Sequence, residues 1–255
     1  MKLDAGTSRS CWNDFEADER EGKAVILDMH VHTAASDDST ATIEGYIELI
    51  LAYRNLNLHP FDGFVLTEHR QYTRGLNLQR YWDEYGVRII QGVEMDTSQG
   101  HLLVYGITDR VLEHIDVTHR LHNGRQIIPE LTKLGAVAAP SHPFRESILG
   151  TIMEKDITEI VGVQIIESYN GQNSRAQNER AAALAAQHDL HIIGGSDAHY
   201  MHPSWFLTCA TEFDDAIASE ADLVEALHYG RYRPVILPEM DVADAPTPPA
   251  APPRL

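Results

Sequence analysis

The chain has 255 residues, 43% of them hydrophobic and 23% charged, enough apolar material for one barrel-sized domain or two small ones. Its formal charge is −18, from 38 acidic against 20 basic side chains; such a surface repels a phosphate backbone, so long DNA or RNA is not expected as a partner. No apolar run is long enough to span a membrane, the opening residues are acidic where a signal peptide is basic, and Cys11 and Cys209 are too few for a disulfide framework or a thiolate metal site, which points to a cytoplasmic protein with no membrane partner.

Residues 1–23 carry many charges and no apolar period, and read as an acidic N-terminal arm. The domain proper is expected over residues 24–237. Within it, β-rich runs alternate with helix-like stretches, the pattern of an α/β domain with mostly parallel strands. Candidate strands are AVILDM ending at Met29, GFVL ending at Leu66, VRIIQGV ending at Val93, LLVYGI ending at Ile107, AVAAP ending at Pro140, VGVQII ending at Ile166 and HIIGG ending at Gly195. Helices are predicted from Ile43 to Arg54, Leu78 to Tyr85, Gln126 to Leu134, Asn173 to His188 and around Asp222 to His228, the last with Ser219 at capping-box spacing before Asp222. From Pro238 the chain is rich in Pro and Ala, and residues 238–255 read as a disordered tail.

Chemistry-bearing residues cluster at the strand ends. His30 and His32 follow the first strand and, spaced by two in an extended chain, project from one face where they can share a metal. His69 follows the second strand, Glu94 the third, His142 the fifth, and Asp197 with His199 the last, while His101 opens the LLVYGI run. A lone histidine beside a strand is ordinarily a hydrogen-bonded or surface residue, and His59, His114, His119, His122, His188, His191, His202 and His228 take that reading. Joint placement on the C-terminal rim of the strands, where α/β enzymes build their sites, separates the others from them.

These residues resemble the motifs of the PHP (polymerase and histidinol phosphatase) family of metal-dependent phosphoesterases. DMHVHTAASDD from Asp28 to Asp38 is similar to its first motif, TEH at Thr67 to His69 to the second, GVE at Gly92 to Glu94 with HLLVYG from His101 to the third, SHPFR at Ser141 to Arg145 to the fourth, and GGSDAH at Gly194 to His199 to the last. The resemblance runs from about Ala24 to Thr211 and implies the family's α/β fold, a distorted (β/α)7 barrel. It also implies a trinuclear site. His30, His32, Glu94 and Asp197 would hold one cation, Glu94 would bridge to a second held by His101 and His142, and Asp37, His69 and His199 would hold a third. Asp37 is preferred to Asp38 because the family's carboxylate falls five residues after the second histidine. The second motif departs from the usual TDH, reading Glu68, His69, Arg70, and Asp38 stands where Gly is common.

Six neutral imidazoles and three carboxylates carry −3 against +6 for three divalent ions, so the cage would attract a phosphate dianion despite the acidic chain. A metal-bound hydroxide available near neutral pH would then hydrolyse a small phosphorylated metabolite or a nucleotide without a protein nucleophile. Imidazole with carboxylate suits Zn, Mn or Fe, and two or three such cations are expected. Arg145 and Arg70 are the candidate substrate-binding residues, since a guanidinium fork matches two phosphoryl oxygens. Asn170 either orients a ligand or caps the helix after it. Hydrolysis of a carbon–nitrogen or carboxylic ester bond, and a non-catalytic metal-binding module, are the alternative readings.

Overall fold

The computed structural model describes residues 24–56, 58, 61–145 and 154–237; the expected arm over 1–23 and tail over 238–255 lie outside them. In chain order the elements are β1 (Val25–Val31), α1 (Ile43–Asn55), β2 (Gly63–Leu66), α2 (Gln79–Tyr85), β3 (Arg88–Gln91), β4 (Val93–Thr97), β5 (Gly100–Tyr105), α3 (Asp109–His114), α4 (Gly124–Leu134), β6 (Val137–Pro140), α5 (Glu154–Glu159), β7 (Ile165–Asn170), α6 (Arg175–His188), β8 (His191–Gly195), α7 (Pro203–Phe206), β9 (Cys209–Phe213), α8 (Glu220–Tyr229) and β10 (Tyr232–Ile236). Among the described residues no helix is long and apolar enough to cross a membrane.

The fold is mixed α/β, but the expected seven-stranded barrel is not closed. Strands pair in three sheets of order β10-β9-β1-β2-β3, β4-β5-β6 and β7-β8. Parallel pairing holds for β1 with β2, β2 with β3 and β7 with β8. It fails for β4-β5-β6, which is antiparallel, because only Ser98 and Gln99 join β4 to β5 and so short a connection allows a hairpin but no crossover. Three strands are absent from the sequence reading: β4, and β9 and β10, which extend the large sheet, β9 antiparallel to β1 and β10 antiparallel to β9. Pro234 sits in β10, the edge strand, where a missing N–H is tolerated.

Helix α1 begins where Thr42 caps the Gly45 N–H, and its apolar positions Tyr46, Ile47, Ile50 and Tyr53 recur at helical spacing. That stripe packs with Val31, Phe64, Leu66 and Phe206 in one buried cluster, so the helix clamps the ends of β1 and β2. A second cluster joins Leu27, Met29, Val65, Leu103, Ile165 and Ile193 with Leu223 and Leu227 of α8, filling the space enclosed by all three sheets. Burial of each such side chain contributes about 1.5–3 kcal/mol, which makes this core the frame that fixes the strand ends.

The sheets meet at single bridges, Val31 with Ala198 and His69 with Glu94. His32 N–H donates to Ala198 O at 3.0 Å, Asp197 N–H to His30 O at 2.7 Å, and Glu94 N–H to Glu68 O at 3.1 Å. Each bridge lies where the sequence reading placed a ligand pair, so the backbone itself sets the spacing of the site.

Candidate metal centre

Glu94 is the hub. It is fully buried, with Oε1 3.1 Å from both His101 Nδ1 and His142 Nε2, and Oε2 3.3 Å from His30 Nε2 and His32 Nε2 and 3.2 Å from His69 Nδ1. Asp197 faces the same group from the opposite sheet, its Oδ1 3.4 Å from the Nε2 atoms of both His30 and His32 and 3.6 Å from His199 Nδ1. His30 and His32 are themselves fully buried, with Nε2 atoms 3.0 Å apart. His32 stacks between His69 and His199, with ring centroids 4.4 and 4.2 Å away.

Burial pushes the Glu94 carboxyl up, but the imidazoles of His30, His101 and His69 outweigh it and hold the group well below the usual carboxylate range. Asp197 behaves alike: burial opposes ionisation, while His30, His32 and Arg145 favour it. His142 is pushed down, by burial and by the nearby Arg145 charge, which keeps its ring neutral and its lone pair available.

The donor set fits divalent cations. Ligand atoms of His30, His32 and Asp197, of His69, Glu94 and His101, and of His32, His69 and His199 form groups whose members lie within 4.8 Å of one another. Glu94 Oε2, His69 Nδ1, both ring nitrogens of His101 and Asp96 Oδ1 are buried without a hydrogen-bond partner among the described residues. Unsatisfied polar atoms are costly in a protein interior, at about 1–3 kcal/mol each, and a cation bound among them removes that cost. Backbone strain gathers here as well: Arg70, His142, Phe144 and Asp197 all have positive φ, of 53°, 32°, 69° and 56°.

Eight of the nine nominated ligands, His30, His32, His69, Glu94, His101, His142, Asp197 and His199, come together in this way. Asp37 does not share their pocket. Its side chain is 69% exposed and faces Arg70 at 3.6 Å and Arg120 at 4.0 Å. Asp38 occupies the expected place, with Oδ2 3.3 Å from His69 Nε2 and 3.4 Å from His199 Nε2. The cause is the turn over residues 33–39, where Ser36 N–H donates to Thr33 O and Ser39 N–H to Ser36 O; counting along an extended chain cannot resolve which neighbour such a turn points inward.

Arg145 lies at the pocket edge, with Nη1 2.5 Å from Asp197 Oδ2, Nε donating to Asn173 Oδ1 at 2.7 Å, and Nη2 on Asn170 Oδ1. Arg70 is turned towards Asp96, at 2.7 Å. Asn170 does not cap α6. Ser174 does so in a full capping box with Gln177, while the Asn170 amide donates to Glu167 Oε2 at 2.9 Å and stays inside the site.

Residues 175–232 match the PHP-associated family model, a segment that carries Asp197 and His199. The fold is similar to that of PsfC from Pseudomonas syringae PB-5123, at 18% identity and a TM-score of 0.60 over 84% of this chain and 92% of that one. The lesion-specific endonuclease Q from Pyrococcus furiosus matches at 16% identity and a TM-score of 0.58, over 83% of this chain and 57% of that one. At these identities the likeness is one of fold. Endonuclease Q in complex with a 27-mer duplex carrying an abasic lesion at its active site matches this chain at 14% identity and a TM-score of 0.55, over 81% of it and 57% of the endonuclease. No curated protein matches by sequence.

That last likeness overturns the exclusion of long nucleic acid. A fold of this type serves an enzyme acting on duplex DNA, and net charge is a sum over the whole surface that does not report the field inside one pocket. Two inner residues of this site also escaped the sequence reading, and a third was noted only as a departure from a motif. Glu167 is fully buried and accepts from His142 N–H at 2.7 Å while lying 2.9 Å from His30 Nδ1. It directly follows the VGVQII strand, so the strand-end rule that found the other residues of the cluster would have found it too. Asp96 shares the face of β4 with Glu94, two residues on, and its Oδ1 is 3.7 Å from His101 Nε2. Glu68, the residue that stands in place of the usual Asp, is buried beside His69, and nothing in the sequence shows what it bonds.

Proposed function

We propose that the chain is a metal-dependent phosphoesterase that hydrolyses a small phosphorylated metabolite or a nucleotide. The observation that carries this reading is the convergence of imidazoles on the two carboxylates Glu94 and Asp197, in a chain of charge −18 that places Arg145 at the same pocket edge. His30, His32 and Asp197 would hold one cation, Glu94 with His101 and His142 a second, and Asp38, His69 and His199 a third, with Zn, Mn or Fe suited to the donors. Bound there, such cations lower the pKa of water towards neutrality and offset charge on phosphoryl oxygens.

The protein's own groups supply orientation. Glu167 holds the His30 ring through Nδ1 and the His142 backbone through its N–H, so both imidazoles present Nε2 to the pocket. Asn170 and Asn173 hold the guanidinium of Arg145 from two sides while Asp197 pairs with it, which keeps a positive charge at the pocket edge where an anionic phosphoryl group would bind.

The test is phosphate release by metal-stripped protein with Mn, Zn or Fe added back, against phosphomonoesters, phosphodiesters and a short DNA duplex, beside a His30→Ala control. Metal-dependent turnover abolished by the substitution supports the proposal. Metal binding without release from any substrate overturns it.

A further inference from the structure

Glu68 is 4% exposed and pairs with no cation among the described residues, yet three donors converge on its two oxygens. Oε1 accepts from the Thr33 hydroxyl at 2.6 Å, both oxygens accept from Thr33 N–H at 3.1 Å, and Oε2 accepts from the Ser36 hydroxyl at 2.6 Å. Ser36, itself 2% exposed, meets two more groups: His69 N–H donates to its Oγ at 3.0 Å, and His32 Nδ1 lies 3.1 Å from the same oxygen.

We infer that Glu68 is a positioning residue which, through the Ser36 hydroxyl, fixes the proton of His32 on Nδ1 and so turns the Nε2 lone pair towards Glu94 and Asp197. The argument is one of donor counting. A hydroxyl has one proton and two lone pairs. A carboxylate only accepts, so at 2.6 Å the Ser36 proton must point to Glu68. One Ser36 lone pair takes the His69 N–H; the other faces His32 Nδ1, which must then be the donor. The tautomer of His32 follows from a carboxylate two hydrogen bonds away, and the same serine ties the strand-end loop bearing His32 to the one bearing His69. An outer partner of this kind, orienting a metal-binding imidazole, is worth on the order of 10–100-fold in metal affinity.

Glu68→Gln keeps the shape and breaks the logic. The amide oxygen belongs at Thr33, where two donors converge, so the amide N–H is left facing Ser36. Ser36 must then redirect its proton, and the acceptor within reach is His32 Nδ1. The inference rests on the metal-site reading above, and the experiment separates the two. Zn(II) affinity is measured by chelator competition for the wild type, Glu68→Gln, Ser36→Ala and the double variant. The His32 ring protons are assigned by long-range ¹⁵N NMR of the Zn-loaded chains, and melting curves confirm folding.

The expected result is a proton on His32 Nδ1 in the wild type, a loss of about 10–100-fold in Zn(II) affinity in each single variant, and a double variant no worse than the weaker single one. Wild-type affinity in Glu68→Gln with the Nδ1 proton retained, or losses that multiply in the double variant, would overturn the relay while leaving the metal site intact. A wild-type chain that holds no Zn(II) would remove the site reading and the relay with it. Should Glu68→Gln fail to fold, Ser36→Ala tests the same step alone, and an unchanged affinity there also refutes it.

Discussion

Gly195 ends β8 directly beneath the metal pocket, and replacing it with alanine probes how tightly the site depends on strand spacing. A Cβ there would lie 2.5 Å from the Cβ of His30, 2.7 Å from its backbone nitrogen and 3.0 Å from Glu167 Oε1, where ordinary contact begins at 3.4 Å. Two of these neighbours belong to the backbone of β1 or its first side-chain atom and cannot rotate away, so β8 must retreat from β1 by roughly 1 Å, with the usual overpacking cost of about 1–3 kcal/mol. For a chain of this size that corresponds to a fall in Tm of about 2–12 °C. The retreat would carry Asp197, two residues on, away from His30 and His32, to which its Oδ1 is now 3.4 Å. Turnover should therefore fall by about 100-fold, the effect of a 1 Å misplacement on positioned groups. Thermal unfolding by circular dichroism in chelator reads the first effect, and metal-restored turnover the second. A variant that melts within about 1 °C of the wild type and retains its activity would refute the claim that the β1–β8 approach sets the site.

Glu167→Gln should lower metal affinity by about 10–100-fold with little change in fold, because its amide oxygen is claimed by His142 N–H and Asn170, leaving an N–H against His30 Nδ1; equilibrium dialysis with metal analysis checks this. Asp38→Asn should cost one bound cation per chain, whereas Asp37→Asn, at an exposed side chain, should keep full stoichiometry and change stability by less than about 0.5 kcal/mol; elemental analysis of the purified variants compares them, and the reverse order would restore Asp37 as the ligand. Tyr46→Phe removes a hydroxyl whose one proton is shared between His32 O at 2.9 Å and Ala198 O at 3.0 Å. Ala198 O keeps the His32 N–H, and His32 O keeps a share of the Ser39 hydroxyl proton, which also points to His199 O at 2.8 Å, so urea unfolding should show a loss of only about 0.5–1.5 kcal/mol, and a loss beyond about 3 kcal/mol would mean the hydroxyl does more than hydrogen-bond.

Much of the site was legible before any coordinates because its signals are local. A strand repeats every two residues, so His30 and His32 had to share a face, and short β-rich runs that each end in His, Glu or Asp declare a common rim without reference to one another. The helices were legible for the same reason: the stripe of Tyr46, Ile47, Ile50 and Tyr53 in α1 and the Ser219 cap of α8 are properties of a few consecutive residues.

What the tertiary structure alone decided involves partners far apart in the chain. Pairing of β9 with β1 and of β10 with β9, the antiparallel β4-β5-β6 sheet and the open arrangement of three sheets depend on connections and edges that periodicity does not encode. Asp38 rather than Asp37 faces His69 because a turn, not a strand, presents them, and Glu167 reaches His30 across 137 positions of sequence. Glu68 acquires its place only when Ser36 and Thr33 fold back over it. The charge of −18 misled about nucleic acid for the matching reason: composition fixes the sum of the charges, while the field a substrate meets is set by which of them the fold brings together.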